Sequence, residues 1–512
     1  MRVSTRGVCG AIVLLSAVSA GAVEPEHALI DAVRSGDPVA ARALVQAGAN
    51  VNDPQADGTT ALHWAARADA QELVALLLGA GAQADVTNRY GVTPLLLAAA
   101  TERGRAVRLL VEAGADPNLS TPEGETPLMT AARTGTADSL RVLLEHGAEV
   151  NRREKWFGET ALMWAAAENH ADAVEILVAH GAELDARAEI VELPKVKVDN
   201  ATMVITALPR GGLTPLLLAA REGAVEAASA LAEAGADLNL ADPDGTSPLV
   251  MAIINAHYDV AAMLVERGAD AAVADTAGMG AVYALVDMRT QGFMINRPLP
   301  TPTGSIDSAA LLDRLLERGA DPDLPLAAPL LARQHSFGDG ALSTGSTALM
   351  RAAKSGDLAA MRLLLAHGAD PARASGDGST AAMFAARRGG RPRMSAEDAI
   401  TAIRLCLDAG ADINAGDTTG QTLLHIAVGS GDELVRMLVE SGADLAARDS
   451  AGRTALDVAL GTPGPPVAGR GGRSVAPPPG PVRESTAALL REQMRDRGIP
   501  TDADSAEIPA SR

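Results

Sequence analysis

The sequence predicts an all-α solenoid, in which pairs of short helices stack in a row and turn-rich fingers join each pair to the next. Three observations carry that expectation. The chain repeats itself: GTTALHWAARADAQELVALLLGAGAQAD from Gly58, GVTPLLLAAATERGRAVRLLVEAGADPN from Gly91, GETPLMTAARTGTADSLRVLLEHGAEVN from Gly124 and GETALMWAAAENHADAVEILVAHGAELD from Gly158 vary one unit. The leading glycines recur at 58, 91, 124, 158, 212, 245, 278, 345, 378, 420 and 452, a step of 33 interrupted by discrete insertions. Finally, 47 % of the 512 residues are hydrophobic but only 2 % aromatic, which suits thin Ala-rich layers better than one deep core.

From the N-terminus, Arg2 and Arg6 precede the apolar run VCGAIVLLSAVSA and the small residues Ala20-Gly21-Ala22. This is the grammar of a secretory signal peptide, expected over 1–22, and the run is too short to span a bilayer. Periplasmic or secreted localisation follows as an expectation. Removal of 1–22 would take Cys9 with it and leave Cys406 alone, with no disulfide and no cysteine cluster for zinc. PEHALIDAVRSGDPVAARALVQAGAN then reads as an N-terminal capping unit.

Within each unit the leading glycine permits a tight turn, Thr caps a helix, and Pro fits its first position, as in Thr93-Pro94, Thr126-Pro127 and Thr214-Pro215. A small-residue helix follows, then a second helix such as ADAVEILVAHGA with Ala173, Ile176 and Leu177 at helical spacing and Gly181 closing it. These residues resemble the ankyrin repeat, with its G-x-T-P-L-H-x-A-A…G-A-D-x-N signature. Eleven G-A-(D/E/N/Q) endings run from Gly48 to Gly442, so the resemblance covers 23–498 as about twelve units. It implies paired antiparallel helices with short β-hairpin fingers, and protein partners held on the fingertips and the concave helix face. The stretches SPLVMAIINAHYDVAAMLVERGAD, RPLPTPTG and ARQHSFGDGALSTGSTALMRAAKSGD further resemble a bacterial exported ankyrin subfamily of undefined role.

Insertions break the repeat near 188–211, 289–306, 324–344, 389–397 and 461–483. The first, KVKVDNATMVI at its core, reads as a hairpin around Asp199-Asn200 and carries Lys195 and Lys197. The last is a Pro/Gly loop, with GRGGRS as linker, and STAALLREQM closes the stack ahead of a disordered tail over 499–512.

The candidate partner-binding residues are Trp156, Phe157, Arg89, Tyr90, Glu159, Lys195 and Lys197. Trp156 and Phe157 occupy fingertip positions before Gly158, where Arg89 and Tyr90 stand two units earlier; large aromatics and Arg are the side chains that anchor interfaces. Two readings of Trp156 and Phe157 stay open: exposed anchors, or rings folded back over the neighbouring finger; the 34-residue step from Gly124 to Gly158 leaves one residue extra in the finger that carries them. Trp64 and Trp164 fall where the family packs a framework side chain, and His63 and His425 match the motif histidine that bonds to the turn. His146, His180 and His367 stand at helix ends, His170 and His257 in the links between helices.

The net charge of −20 disfavours nucleic acid and favours basic partners along an acidic rim. Neither a G-x-x-x-x-G-K-(S/T) loop nor H-E-x-x-H occurs. No metal or cofactor is expected, and oligomeric state is left open. Cys406 reads as a small core residue. The expected function is an exported, non-enzymatic scaffold for a partner protein. The alternative is an enzyme, or an accessory subunit of one, with a site built from the insertions near 289–306 and 324–344; the only catalytic set at hand there is His335, Ser336, Asp339 and Ser343 on a loop that does not supply the geometry.

Overall fold

The computed structural model describes residues 27–191, 210–290, 300–328, 342–388, 394–463, 467–468, 474–475 and 480–500. The expected signal peptide, the Asp199-Asn200 turn, Lys195, Lys197, His335, Ser336, Asp339 and residues 501–512 of the expected tail lie outside the described residues. These divide into two compact units, one ending at Pro243 and the other beginning at Asp244.

The first unit is six helix pairs: Ala28–Arg34 with Pro38–Gln46, Ala61–Arg67 with Gln71–Gly79, Pro94–Ala99 with Arg105–Glu112, Pro127–Thr134 with Ala137–Glu145, Ala161–Ala167 with Ala171–Ala179, and Pro215–Glu222 with Val225–Glu233. Each first helix packs on its own second helix and on the first helix of the next pair, so two rows form. The sequence dictates this. Ala65, Ala66, Ala98, Ala99, Ala131 and Ala132 are wholly buried, and their lack of bulk lets first helices approach closely. Leu77, Leu110, Leu143, Leu177 and Leu231 are also wholly buried and recur at the repeat spacing, filling the layers between second helices. The second unit repeats the arrangement in six pairs, from Pro248–Ile254 with Tyr258–Glu266 to Ala455–Ala459 with Glu484–Asp496.

The helix starts follow the sequence closely. The hydroxyls of Thr93, Thr126 and Thr214 accept hydrogen bonds from the amides of Leu96, Met129 and Leu217 at 3.1–3.2 Å, with Pro in the first helical position.

The fingers differ from the expected hairpins. Among the described residues, named strands are confined to Ile190–Val191 paired antiparallel with Arg210–Gly211 and Val467–Ala468 paired with Ser474–Val475, plus isolated bridges at Ala374–Thr380 and Gly416–Thr422. Elsewhere a finger is a tight turn: the Asn88 amide donates to Val92 O (3.1 Å) and the Gly91 amide to Asn88 O (2.9 Å). So short a loop leaves no length for a ladder. Neighbouring fingers are instead joined by one main-chain bond. Arg89 N donates to Asp57 O at 2.8 Å and Lys155 N to Glu123 O at 2.7 Å, and in the second unit Thr276 N donates to Asp244 O at 2.9 Å. Pro122 and Pro243 occupy the donor's place and have no N–H to give.

Two glycines show the two demands on the repeat. Gly158 has φ +65°, and a Cβ there would sit 2.7 Å from Glu189 Cγ on the next segment. Gly181 has φ +87° with open space around it, so backbone conformation alone selects it.

Candidate functional site

The finger over residues 154–159 is built around one buried carboxylate. Glu154 is 6 % exposed. Its Oε2 accepts from Trp156 N (2.6 Å), and its Oε1 from Phe157 N (2.7 Å) and Glu159 N (2.9 Å). Several other fingers use a shorter anchor three residues before the glycine. Asn88 accepts from the amides of Tyr90 and Val92, Asp275 from Ala277 and Met279, and Asp417 from Thr419 and Gln421. In the 34-residue step the anchor lies four residues before Gly158, and the extra methylene of Glu spans the extra residue.

That anchoring leaves both aromatics in solvent: Trp156 is 59 % exposed and Phe157 47 %. The folded-back arrangement is therefore not the one adopted. Tyr90, two fingers away, is 48 % exposed, with the Arg89 guanidinium 4.8 Å above its ring and donating to its hydroxyl. Between them the Pro122 ring lies against Gly91, and Lys155 Nζ donates to Pro122 O at 2.9 Å. Phe157 O accepts from Glu189 N at 2.6 Å, which sets the exposed Ile190 beside the aromatic finger. Tyr90, Pro122, Trp156, Phe157 and Ile190 thus follow one another along one edge of the first unit, interleaved with the cations of Arg89 and Lys155.

Glu159 does not join this edge. It is half-buried, and its carboxylate accepts from Trp164 Nε1 at 3.0 Å. The residue after the finger glycine faces the first helix of its own repeat, as Glu125 does when it accepts from Thr130 and Arg133. Ile190 and Glu154 were not singled out by sequence. The shift of the anchor by one position is the signal that identifies Glu154.

Trp64 and Trp164 are half-buried in the first-helix row, Trp64 donating to Gln55 Oε1 at 3.1 Å. His63 ties adjacent repeats: Nδ1 accepts from Thr60 N (3.1 Å), which leaves the proton on Nε2 to donate to Val92 O (3.0 Å). Burial pushes its pKa below the ordinary imidazole value, against the raising effects of the Val92 carbonyl and Asp57. His425 bonds Thr422 and Arg453 O in the same way. His146 and His180 bond Val142 O and Ile176 O at helix ends, and His170 bonds Arg133 O of the preceding repeat.

Near the insertions of the second unit the described residues hold two ion pairs that sequence reasoning missed. Arg289 binds Asp357 through two bonds of 2.7 and 3.0 Å and Ser308 at 2.7 Å, while Arg351 binds Asp287 at 2.7 Å. Burial pushes the Asp357 carboxyl up, but the Arg289 bonds, the main-chain N–H of Ala360 and the Arg289 charge outweigh it and hold the group below its usual value. Of His335, Ser336, Asp339 and Ser343, Ser343 is the one described, and its hydroxyl reaches Thr344 O at 3.5 Å. Cys406 is fully buried, and burial pushes its thiol up to about 12. Among the described residues no group of three or more His, Cys, Asp or Glu is placed to hold a metal ion, and no helix is long and apolar enough to cross a membrane.

Comparison with known proteins is consistent with this geometry. A family model described as "Ankyrin repeats (3 copies)" matches residues 29–121, 106–188, 194–275 and 393–464, and one described as "Ankyrin repeats (many copies)" matches 349–396. Among solved structures, the crystal structure of the human ASB11 ankyrin repeat domain is similar at 25 % identity, over 48 % of this chain and 98 % of that one, with a TM-score of 0.39. No curated protein sequence matches the chain.

Proposed function

Since the chain belongs to the ankyrin-repeat family, whose members are typically non-enzymatic binding scaffolds, we propose that it holds a partner protein on the finger edge of its first unit. The observation that carries this is the clustering of exposed apolar side chains. Among the described residues seven large hydrophobics are exposed, and four of them, Tyr90, Trp156, Phe157 and Ile190, stand on this one edge. Single exposed hydrophobics are ordinary; a rigid row of them, with aromatics foremost, is what interface anchors look like. The turns that present them are bonded internally, so little order is lost on binding. Within this proposal the partner meets the scaffold outside the cytoplasm, in a periplasm or beyond the cell. Arg2, Arg6 and the apolar run up to Ala22 support that location.

The test is affinity capture on immobilised full-length chain from an extract of its own cell envelope, with a Trp156→Ala/Phe157→Ala variant beside it. A specific partner retained by the wild type should bind the variant at least about tenfold more weakly, because truncating an anchor costs about 2 kcal/mol or more. Equal retention by both would remove the finger edge as the interface.

A further inference from the structure

A second surface of the first unit has a different chemistry. In the first-helix row two guanidinium groups approach the Trp64 indole, those of Arg34 and Arg67, each with its central carbon 5.6 Å from the ring centroid. Both arginines are exposed, and among the described residues neither makes an ion pair or a side-chain hydrogen bond. Asp31, one turn before Arg34, is not paired with it.

Elsewhere in the first unit a related arginine–tryptophan contact is supplied with carboxylates. Arg133 holds the register of Arg67, nine residues after the finger glycine, and Trp164 that of Trp64, six after. Arg133 lies 5.0 Å over the Trp164 ring, and it is also paired with Glu125 at 3.2 Å, while Glu159 takes the Trp164 N–H. Glu125 and Glu159 are the residues that follow their finger glycines. In the repeat of Trp64 that place belongs to Thr59. Thr59 is 2 % exposed, and its hydroxyl has no hydrogen-bond partner. Arg133 therefore takes its carboxylate from its own repeat and Trp164 from the next, whereas the repeat that holds both Arg67 and Trp64 has a threonine at that place; the residue at the same place before Arg34, Glu26, lies outside the described residues.

We infer that the Arg34–Trp64–Arg67 surface binds an acidic peptide segment of a partner protein, one of whose carboxylates takes the role Glu125 has toward Arg133. Two guanidinium forks offer bidentate pairing to successive carboxylates, and the indole gives the peptide a flat apolar seat. The net charge of −20 does not forbid this, because at physiological salt repulsion from distant carboxylates is screened beyond about 8 Å. The site stands apart from the finger edge and does not depend on it.

Fluorescein-labelled octaglutamate, titrated with the full-length chain and read by anisotropy, tests the site, with octalysine and a short single-stranded DNA as comparators. Octaglutamate should bind saturably. Binding should weaken about tenfold or more in Arg34→Gln/Arg67→Gln, which removes the forks from exposed positions, and likewise in Thr59→Glu, which fills the site from within. It should be unchanged in Trp156→Ala/Phe157→Ala, so that the fate of the finger edge is read separately. Circular dichroism melts check that each variant folds, and should Thr59→Glu fail, the arginine pair decides. Three results would each overturn the inference: no saturable binding, equal affinity in wild type and the arginine variant, or displacement of octaglutamate by DNA at equal concentration, which marks a general anion surface.

Discussion

Glu154 has three main-chain N–H groups to satisfy and no solvent to share the task. Its removal in Glu154→Ala should cost about 1–3 kcal/mol, the range for leaving buried donors unmet. The loss should appear as a lower melting temperature, together with a collapse of the near-ultraviolet circular dichroism that the fixed Trp156 contributes. An unchanged spectrum would mean that the aromatics are held by something else. Trp156 and Phe157 were legible in the sequence because aromatics are scarce and the repeat register assigns them to a fingertip. Their exposure was not legible, since the same residues admit a folded-back ring until the anchor is seen. The inward turn of Glu159 toward Trp164 was not legible for a related reason. Register gave its distance from the fingertip but not the direction of its side chain, which the first helix decides.

At the scale of helices, the second unit departs from the apolar rule of the repeat. Arg351 and Asp287 occupy the registers that Trp64 and Arg67 hold in the first unit, and form an ion pair between helices Ala281–Thr290 and Ala348–Ser355. Arg289 and Asp357 link Ala281–Thr290 to the start of Leu358–Ala366, with side chains only 15 % and 13 % exposed. Breaking such a pair from one side leaves an uncompensated charge. Arg289→Met should therefore destabilise the second unit by about 3–5 kcal/mol. Adding Asp357→Asn, which removes the charge and keeps an acceptor for the helix cap, should recover much of that loss. Denaturant unfolding of the single and double variants measures the recovery; a double variant no better than Arg289→Met would show the pair to be energetically idle. Periodicity revealed these helices but not the pairs, because Arg351 and Asp287 are distant in sequence and meet only through stacking.

Each unit is a row of local interfaces, so damage should stay local. Leu110 is wholly buried between second helices, and Leu110→Ala should cost about 2–5 kcal/mol. In a stack whose stability is a sum of neighbour terms, amide exchange should quicken around Leu77 and Leu143 and stay unchanged around Leu438. Uniform acceleration along the chain would contradict that additivity. This organisation was the most legible property of the sequence, because one short unit written many times states its contacts many times. The insertions were the least legible, being written once each, and Lys195 and Lys197 lie among them.

The aromatic finger also shows how a repeat of this kind could take an extra residue. A codon gained in a fingertip lengthens the turn by one residue and pulls the anchor out of reach of its amides. A change from aspartate to glutamate at the anchor repairs the fault with one carbon. In step 34 the added residue and the added carbon of Glu154 compensate one another. Loop length in this fold is then free to drift wherever the anchoring acid drifts with it, and a new side chain reaches the surface without disturbing the helices beneath.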